Sequence, residues 1–321
     1  MTETALTDAE ILAFVTRTKA AYPPAAATAT GGPVETRTYY NHMCALFRAP
    51  RPAGLTVTDG LASGVPLRCY DPGGDAGARP FVLYLHGGGF VLGSLDSHDD
   101  ICAEIAADSG AQVFSADYRL APEHIYPAQQ DDTQAVWMAL TASGRTGVVI
   151  GDSAGANLAA GLCLRMRDLG GPMPLSQVLI YPWLVGDALA GDQMPQSYSD
   201  NRDGPLLTTA DCRNFTRTVT GGDPSLARKH KDLVPLLETD LAGLPPAVII
   251  TADLDPVRDD GVIYAARLKA AGVDTILRNE AQLVHGYLRA RHASTLARAS
   301  FDFICAAIRS GLETGRNTAA G

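Results

Sequence analysis

Apolar positions along this chain fall into two alternating rhythms. Six short runs, FVLYL (81–85), AQVFSA (111–116), TGVVI (146–150), SQVLIY (176–181), AVIIT (247–251) and DTILR (274–278), are apolar and rich in β-branched side chains. Runs of this length and composition mark buried strands. Between most of them apolar residues recur at helical spacing, over 98–109, 129–142, 154–169 and 259–271, and again over 291–309. Strands separated by helices predict a mostly parallel central sheet with helices on both faces, an α/β fold.

Two regions break this rhythm. Residues 1–50 read as helices, with Pro23-Pro24 and Gly31-Gly32-Pro33 between them. Residues 184–235 lie between two strands and contain no convincing strand of their own. A connection of that length folds for a purpose. The pattern predicts a helical cap in two parts, 1–50 and 184–235, over a core made of 51–183 and 236–321.

Composition narrows the class. The chain has 321 residues, 46% of them apolar, enough for a sizeable core. Its net charge is 26 − 35 = −9, without a basic cluster, which argues against a nucleic-acid partner. The start, MTETALTDAEILAF, lacks a basic-then-apolar leader. No apolar run approaches the roughly 18 residues of a membrane span, so a soluble cytoplasmic protein with no membrane partner is expected. Six scattered cysteines without a CxxC pair read as free thiols, and no metal-ligand spacing is present.

The chemistry is concentrated in two stretches. VVIGDSAGANLAAGL (148–162) reads as strand, Gly151-Asp152-Ser153-Ala154-Gly155, then helix. This G-x-S-x-G pattern places a serine on a sharp strand-to-helix turn, with its hydroxyl projecting from the sheet edge and the helix amides behind it. YLHGGGFVLGS (84–94) puts three glycines directly after an earlier strand. Bare backbone there can bring N–H groups against a developing oxyanion. Gly88 and Gly89 would donate from one side and Ala154 from the other.

A nucleophilic serine needs a base, and the base an orienting acid, in the chain order Ser, Asp or Glu, His. His230 lies in the basic stretch ARKHKD, and His292 in the expected final helix. His285, in QLVHGY after the last strand, is the candidate base. Asp253, Asp255, Asp259 and Asp260 compete for the acid. Asp259 and Asp260 suit the opening of the next helix. Asp255 precedes Pro256, which favours an extended backbone, but local chemistry leaves Asp253 in contention. Candidate pocket residues are Phe90 and Leu92 after the glycines, Asp152 beside the serine, and Tyr181 at a strand end.

HGGGF (86–90), DYRLAPEHIYPAQQDD (117–132), GDSAGANLAA (151–160), DLDPVRDDG (253–261) and HGY (285–287) stand in order. On these motifs the chain resembles, over about residues 65–310, the hormone-sensitive-lipase-like, or bacterial family IV, esterases of the α/β-hydrolase superfamily. YLHGGGFVLGSLDSHD looks like the acetyl esterases among them. The resemblance implies an α/β-hydrolase fold with a helical cap and a cofactor-free serine carboxylesterase acting on short- to medium-chain acyl esters. It implies Asp255 as the acid, Gly88, Gly89 and Ala154 as the oxyanion hole, and a supporting place for Glu123 and Asp152. His86 and His124 read as structural. Two departures are visible: Ala156 stands where the family usually has glycine, and no proline-glycine precedes His285. Relatives that became hormone receptors replace the histidine, so its presence implies an enzyme. The expected partner is a small-molecule ester, and self-association into a homo-oligomer stays open.

Overall fold

The sheet has eight strands in the order β1-β2-β4-β3-β5-β6-β7-β8. It belongs to a computed structural model that describes residues 5–21, 32–75, 79–185 and 194–319. Pro23-Pro24 and Gly31 lie outside the described residues, as do 186–193 of the insertion. The six expected strands are β3 (Phe81–Leu85), β4 (Val113–Ala116), β5 (Gly147–Asp152), β6 (Gln177–Ile180), β7 (Ala247–Leu254) and β8 (Thr275–Val284), all parallel to their neighbours in this set. Two further strands, β1 (Thr56–Ala62) and β2 (Val65–Asp71), form an antiparallel hairpin that joins β4. The hairpin was not expected. β1 is an edge strand with a mostly exposed surface, so it carries no apolar run to betray it.

The helices α3 (Asp99–Ser109), α4 (Ala128–Thr141), α5 (Ala154–Leu169) and α7 (Arg258–Ala270) fall within one residue of their expected spans. The final helix, α8 (Thr295–Ala319), begins later than expected. A buried 3₁₀ turn, Tyr287–Ala290, comes first. His292 therefore precedes the helix and meets Glu104, Nε2 to Oε1 at 2.7 Å.

The sheet divides the core in two. β3 shows why: Phe81, Leu83 and Leu85 join one cluster, Val82 and Tyr84 the other, as a period of two dictates. The N-terminal helices α1 (Ala9–Ala20) and α2 (Pro33–Phe47) join the second cluster through Ile11, Phe14, Tyr40, Met43 and Phe47. The insertion's main helix, α6 (Thr209–Val219), joins the first through Cys212 and Val219. Thr208 caps α6 in a reciprocal box with Asp211.

Two sets of polar contacts fasten these additions to the core. Arg37 of α2 donates from Nε to the Val91 carbonyl and from Nη2 to the Ala121 carbonyl, both at 2.8 Å, and pairs with Glu123 at 2.6 Å. The first part of the insertion is held by acids of the first turn of α7. Asp260 accepts from the amides of Leu184 (2.7 Å) and Val185 (2.9 Å) and from the Tyr198 hydroxyl (3.2 Å). Asp259 accepts from the Ser197 amide at 2.9 Å. Asn201 donates to the carbonyls of Asp253 and Asp255. Among the described residues no helix is long and apolar enough to cross a membrane.

Asp260 generates a prediction. Burial pushes its carboxyl up to about 8, with Asp255 adding repulsion, against three donors that favour the charged form. The folded protein thus holds a proton that an unfolded chain releases near pH 4. Stability should fall as pH rises from about 4 to about 8 and level off above. Asp260→Asn keeps an acceptor for the Leu184 and Val185 amides and removes that slope. Its Tm, followed by circular dichroism, should drop less than the wild-type Tm between pH 6 and 9. An equal drop in both proteins would mean that Asp260 is already ionised.

Candidate active site

The reactive serine owes its position to steric crowding. β5 runs into Ser153, which has φ 56° and ψ −119°, and α5 starts at the next residue. A non-glycine residue there costs about 1–3 kcal/mol and persists only where its surroundings enforce it. They do: the Ser153 amide donates to the Ile180 carbonyl at 2.9 Å. A Cβ on Gly155 would strike the Leu85 carbonyl oxygen and lie 2.7 Å from that of His86, while one on Gly151 would strike the Gly155 carbonyl. Strand and helix can approach this closely only because both flanking residues are glycine.

Three side chains from three elements converge here. Ser153 Oγ lies 2.8 Å from His285 Nε2, and His285 Nδ1 lies 2.7 Å from Asp255 Oδ2. Because Asp255 is a carboxylate acceptor, Nδ1 carries the hydrogen and Nε2 is left to accept from the serine. Asp255 is fully buried, and its other oxygen takes the Val257 amide at 3.1 Å. The rival acid lies elsewhere. Asp253 accepts from Asn279 at 3.2 Å and stands 3.9 Å from Arg258. His230 packs against the Tyr126 ring at 4.8 Å, away from the serine.

The glycine loop faces the same point. Gly88 (φ 126°) and Gly89 (φ 62°) adopt conformations that side chains rarely do. A Cβ on Gly88 would hit the Leu92 carbonyl, and one on Gly89 would lie 2.5–2.7 Å from atoms of the Phe215 ring. Among the described residues, the amides of Gly88, Gly89 and Ala154 donate to no protein acceptor.

Asp152 ties the loop to the elbow. Its Oδ1 accepts from the Gly87 amide and the Tyr84 hydroxyl, both at 2.9 Å, and lies 3.3 Å from His98 Nε2; its Oδ2 accepts from Tyr181 at 3.3 Å. Burial raises this carboxyl, but His98, Arg289 and the Tyr84 hydroxyl outweigh burial and hold it below the ordinary carboxylate range. His86 is buried and stacked on Tyr118 at 4.3 Å; burial, reinforced by His98, lowers it to about 4. That neutral ring serves packing. His124 is exposed. Glu123 is partly exposed and reaches the site only through Arg37, which grips the Val91 carbonyl behind the glycines.

A cavity of about 550 Å³ opens over Ser153. Leu92, Asp152 and Tyr181 line it, as the sequence suggests. Phe90 does not. It is turned inward at φ 64°, is buried against Trp183 at 5.7 Å, and borders a separate small void. The loop reverses at Phe90, so alternation from the glycines misplaces its side chain. Several lining residues were not anticipated: Phe14, Tyr40 and Met43 on one wall, Trp183 and Phe215 on the other, and Arg289. Phe14 with Thr18, and Tyr40 with Met43, sit at i,i+4 and i,i+3 on their helices. That spacing marks a buried stripe without saying what it faces.

Residues 82–289 match the model of a family described as alpha/beta hydrolase fold. The esterase LipI of Mycobacterium tuberculosis is 41% identical over 239 residues, 72% of this chain and 73% of that protein. The carboxylesterase NlhH of the same organism is 41% identical over 241 residues, 72% of this chain and 73% of its own length. Among solved structures, an esterase from the bacterial hormone-sensitive lipase (HSL) family superposes with a TM-score of 0.83 at 27% identity, over 96% of this chain and 100% of that one. An eight-stranded, mostly parallel sheet, a strand–serine–helix turn and these matches carry one conclusion: the chain belongs to the alpha/beta hydrolase family.

Proposed function

We propose that this chain is a serine carboxylesterase that hydrolyses short- to medium-chain acyl esters through an acyl-enzyme. The observation that carries the reading is the unbroken line Asp255–His285–Ser153, at 2.7 and 2.8 Å, ending in a cavity that Gly88 and Gly89 also line. Ser153 Oγ attacks the ester carbonyl carbon while His285 Nε2 takes its proton. The carbonyl oxygen becomes an oxyanion and accepts from the amides of Gly88, Gly89 and Ala154. Asp255 holds the imidazole in the required tautomer and stabilises the imidazolium. His285 then protonates the leaving alkoxide, and the alcohol departs. Water repeats the cycle on the acyl-enzyme: His285 takes its proton, the acid leaves, and Ser153 recovers its hydrogen.

Residues 1–50 and 184–235 act as a two-part cap in this reading. Phe14, Tyr40 and Met43 of α1 and α2, and Phe215 of α6, border the cavity. Apolar walls draw in an acyl chain at about 0.8 kcal/mol per methylene until the space is full, after which overpacking costs more.

Three outcomes test the proposal. Ser153→Ala should lower kcat by roughly 10³-fold or more, because the triad acts as a unit, and should abolish labelling by a fluorophosphonate probe. Labelling of that variant at the wild-type level would remove Ser153 from the mechanism. Asp255→Asn should cost about 10²- to 10⁴-fold in kcat while Asp253→Asn costs far less; the reverse ranking in steady-state kinetics identifies the wrong carboxylate. On p-nitrophenyl esters in clear solution, kcat/KM should be highest from acetate to hexanoate. At decanoate it should fall by at least about tenfold, or roughly 1.4 kcal/mol. A maximum at dodecanoate or longer contradicts the small pocket.

A further inference from the structure

A charged group stands in the cavity wall with no counter-ion on it. Arg289 follows the catalytic-loop histidine by four residues and is 8% exposed. Its Nε donates to Cys44 Sγ at 3.2 Å, its Nη2 donates to the Tyr40 hydroxyl at 2.6 Å, and Nη2 lies 3.4 Å from His98 Nε2. These partners are a thiol, a phenol and an imidazole. Burial pushes the Cys44 thiol up, so it supplies no negative charge. Among the described residues no carboxylate lies within ion-pair distance of this guanidinium. Asp152 attracts it from beyond ion-pair distance, across the His98 ring, and its oxygens are already taken by Tyr84, Gly87 and Tyr181.

The second terminal nitrogen, Nη1, makes no hydrogen bond among the described residues. Arg289 borders this cavity and also a second one, lined by Glu104 and His292. A Cβ built on Gly286, the residue after His285, would lie 3.5 Å from Nη1, and both Gly286 and Arg289 line the first cavity. A guanidinium presents its donors in a rigid fork suited to a carboxylate. In a site walled by Phe14, Tyr40 and Met43 such a pair is little screened by water. The other charged side chains lining the site are Asp152, whose oxygens are engaged, and Lys19, Asp203 and Asp211. Lys19 and Asp203 are exposed to solvent, and Asp211 is engaged by Thr208.

We propose that Arg289 receives a carboxylate carried by the substrate, so that the preferred esters are half-esters of small dicarboxylic acids. The proposal rests on the esterase reading and refines it: Ser153 would attack the esterified carbonyl while the free acid at the other end of the acyl chain sits on Nη1. Arg289 is then a specificity-determining residue.

The test compares monoethyl succinate and monoethyl glutarate with ethyl pentanoate and ethyl hexanoate, following proton release in a pH-stat near neutrality. The wild-type kcat/KM should favour the half-esters by about tenfold or more, the size of one charge-assisted hydrogen bond in a water-poor site. The gain should appear mainly in KM. Arg289→Met should bring the ratio of half-ester to neutral ester to about one or below, and Arg289→Lys should restore part of it. Free glutarate should inhibit wild-type hydrolysis of ethyl hexanoate competitively. A wild-type enzyme that prefers the neutral esters overturns the proposal without any variant. So does an Arg289→Met enzyme in which both ester types fall by the same factor, because Arg289 would then only support His98 and Asp152. Folded wild-type protein inert on all four esters would overturn the esterase reading itself.

Discussion

The Gly87 amide donates to Asp152 at 2.9 Å, and through that bond the backbone of one catalytic loop is measured against another. Asp152 is the residue before the serine, and Gly87 is the residue before the two glycines with unengaged amides. A Cβ on Gly87 would lie 2.5 Å from the same carboxylate, so the two loops approach as closely as backbone allows. Tyr84 from β3 and Tyr181 after β6 bind the carboxylate as well. One buried charge thereby fixes the ends of three neighbouring strands. Such a charge tolerates burial only with its hydrogen bonds made, which locks the spacing between the serine and its facing amides before any substrate arrives. In the proposed reaction, this preorganisation would let fixed dipoles do at no reorganisation cost what water would do by turning.

The interior of the fold could be read from the sequence because its signal is local and strong. β3 and β5 are buried along their whole length, and α5 is buried from Ala154 through Leu164, so each announces itself as an apolar run. The edges could not. β1 is exposed for most of its length. β8 runs on through Asn279, Glu280 and Gln282, because an edge strand paired only with β7 can carry polar side chains. The site divides in the same way. Ser153, His285 and the glycines are legible from chemistry and spacing, because each needs one residue type in one conformation. The choice between Asp253 and Asp255 is not, since both stand at the end of one strand; only the fold turns one of them toward His285. Phe90 was misplaced because a positive φ cannot be seen in the sequence. Arg289 escaped notice because an arginine in a loop normally means solvent.

The insertion, which breaks the strand–helix rhythm, also braces the turn that carries Asp255. Asn201 binds the carbonyls on either side of the turn that presents Asp255, and the Ser197 hydroxyl donates to the Pro256 carbonyl at 2.6 Å. Asp259 and Asp260, acids suited to a helix start, each give one oxygen to the insertion. The insertion, whose Phe215 borders the cavity, and the turn that carries Asp255 are therefore joined by hydrogen bonds.

The two walls of the cavity draw their stability from different halves of the core. Met43 packs in the cluster on one side of the sheet, and Phe215 packs against the cluster on the other. The two residues belong to different clusters, and substitutions far apart without shared partners combine additively in free energy. An evolving lineage could therefore remodel one wall of its substrate pocket while the other, and the hydrogen-bonded floor beneath both, stayed as they were. Such a layout offers many small, separable steps between substrate ranges, none of which requires the catalytic framework to be rebuilt.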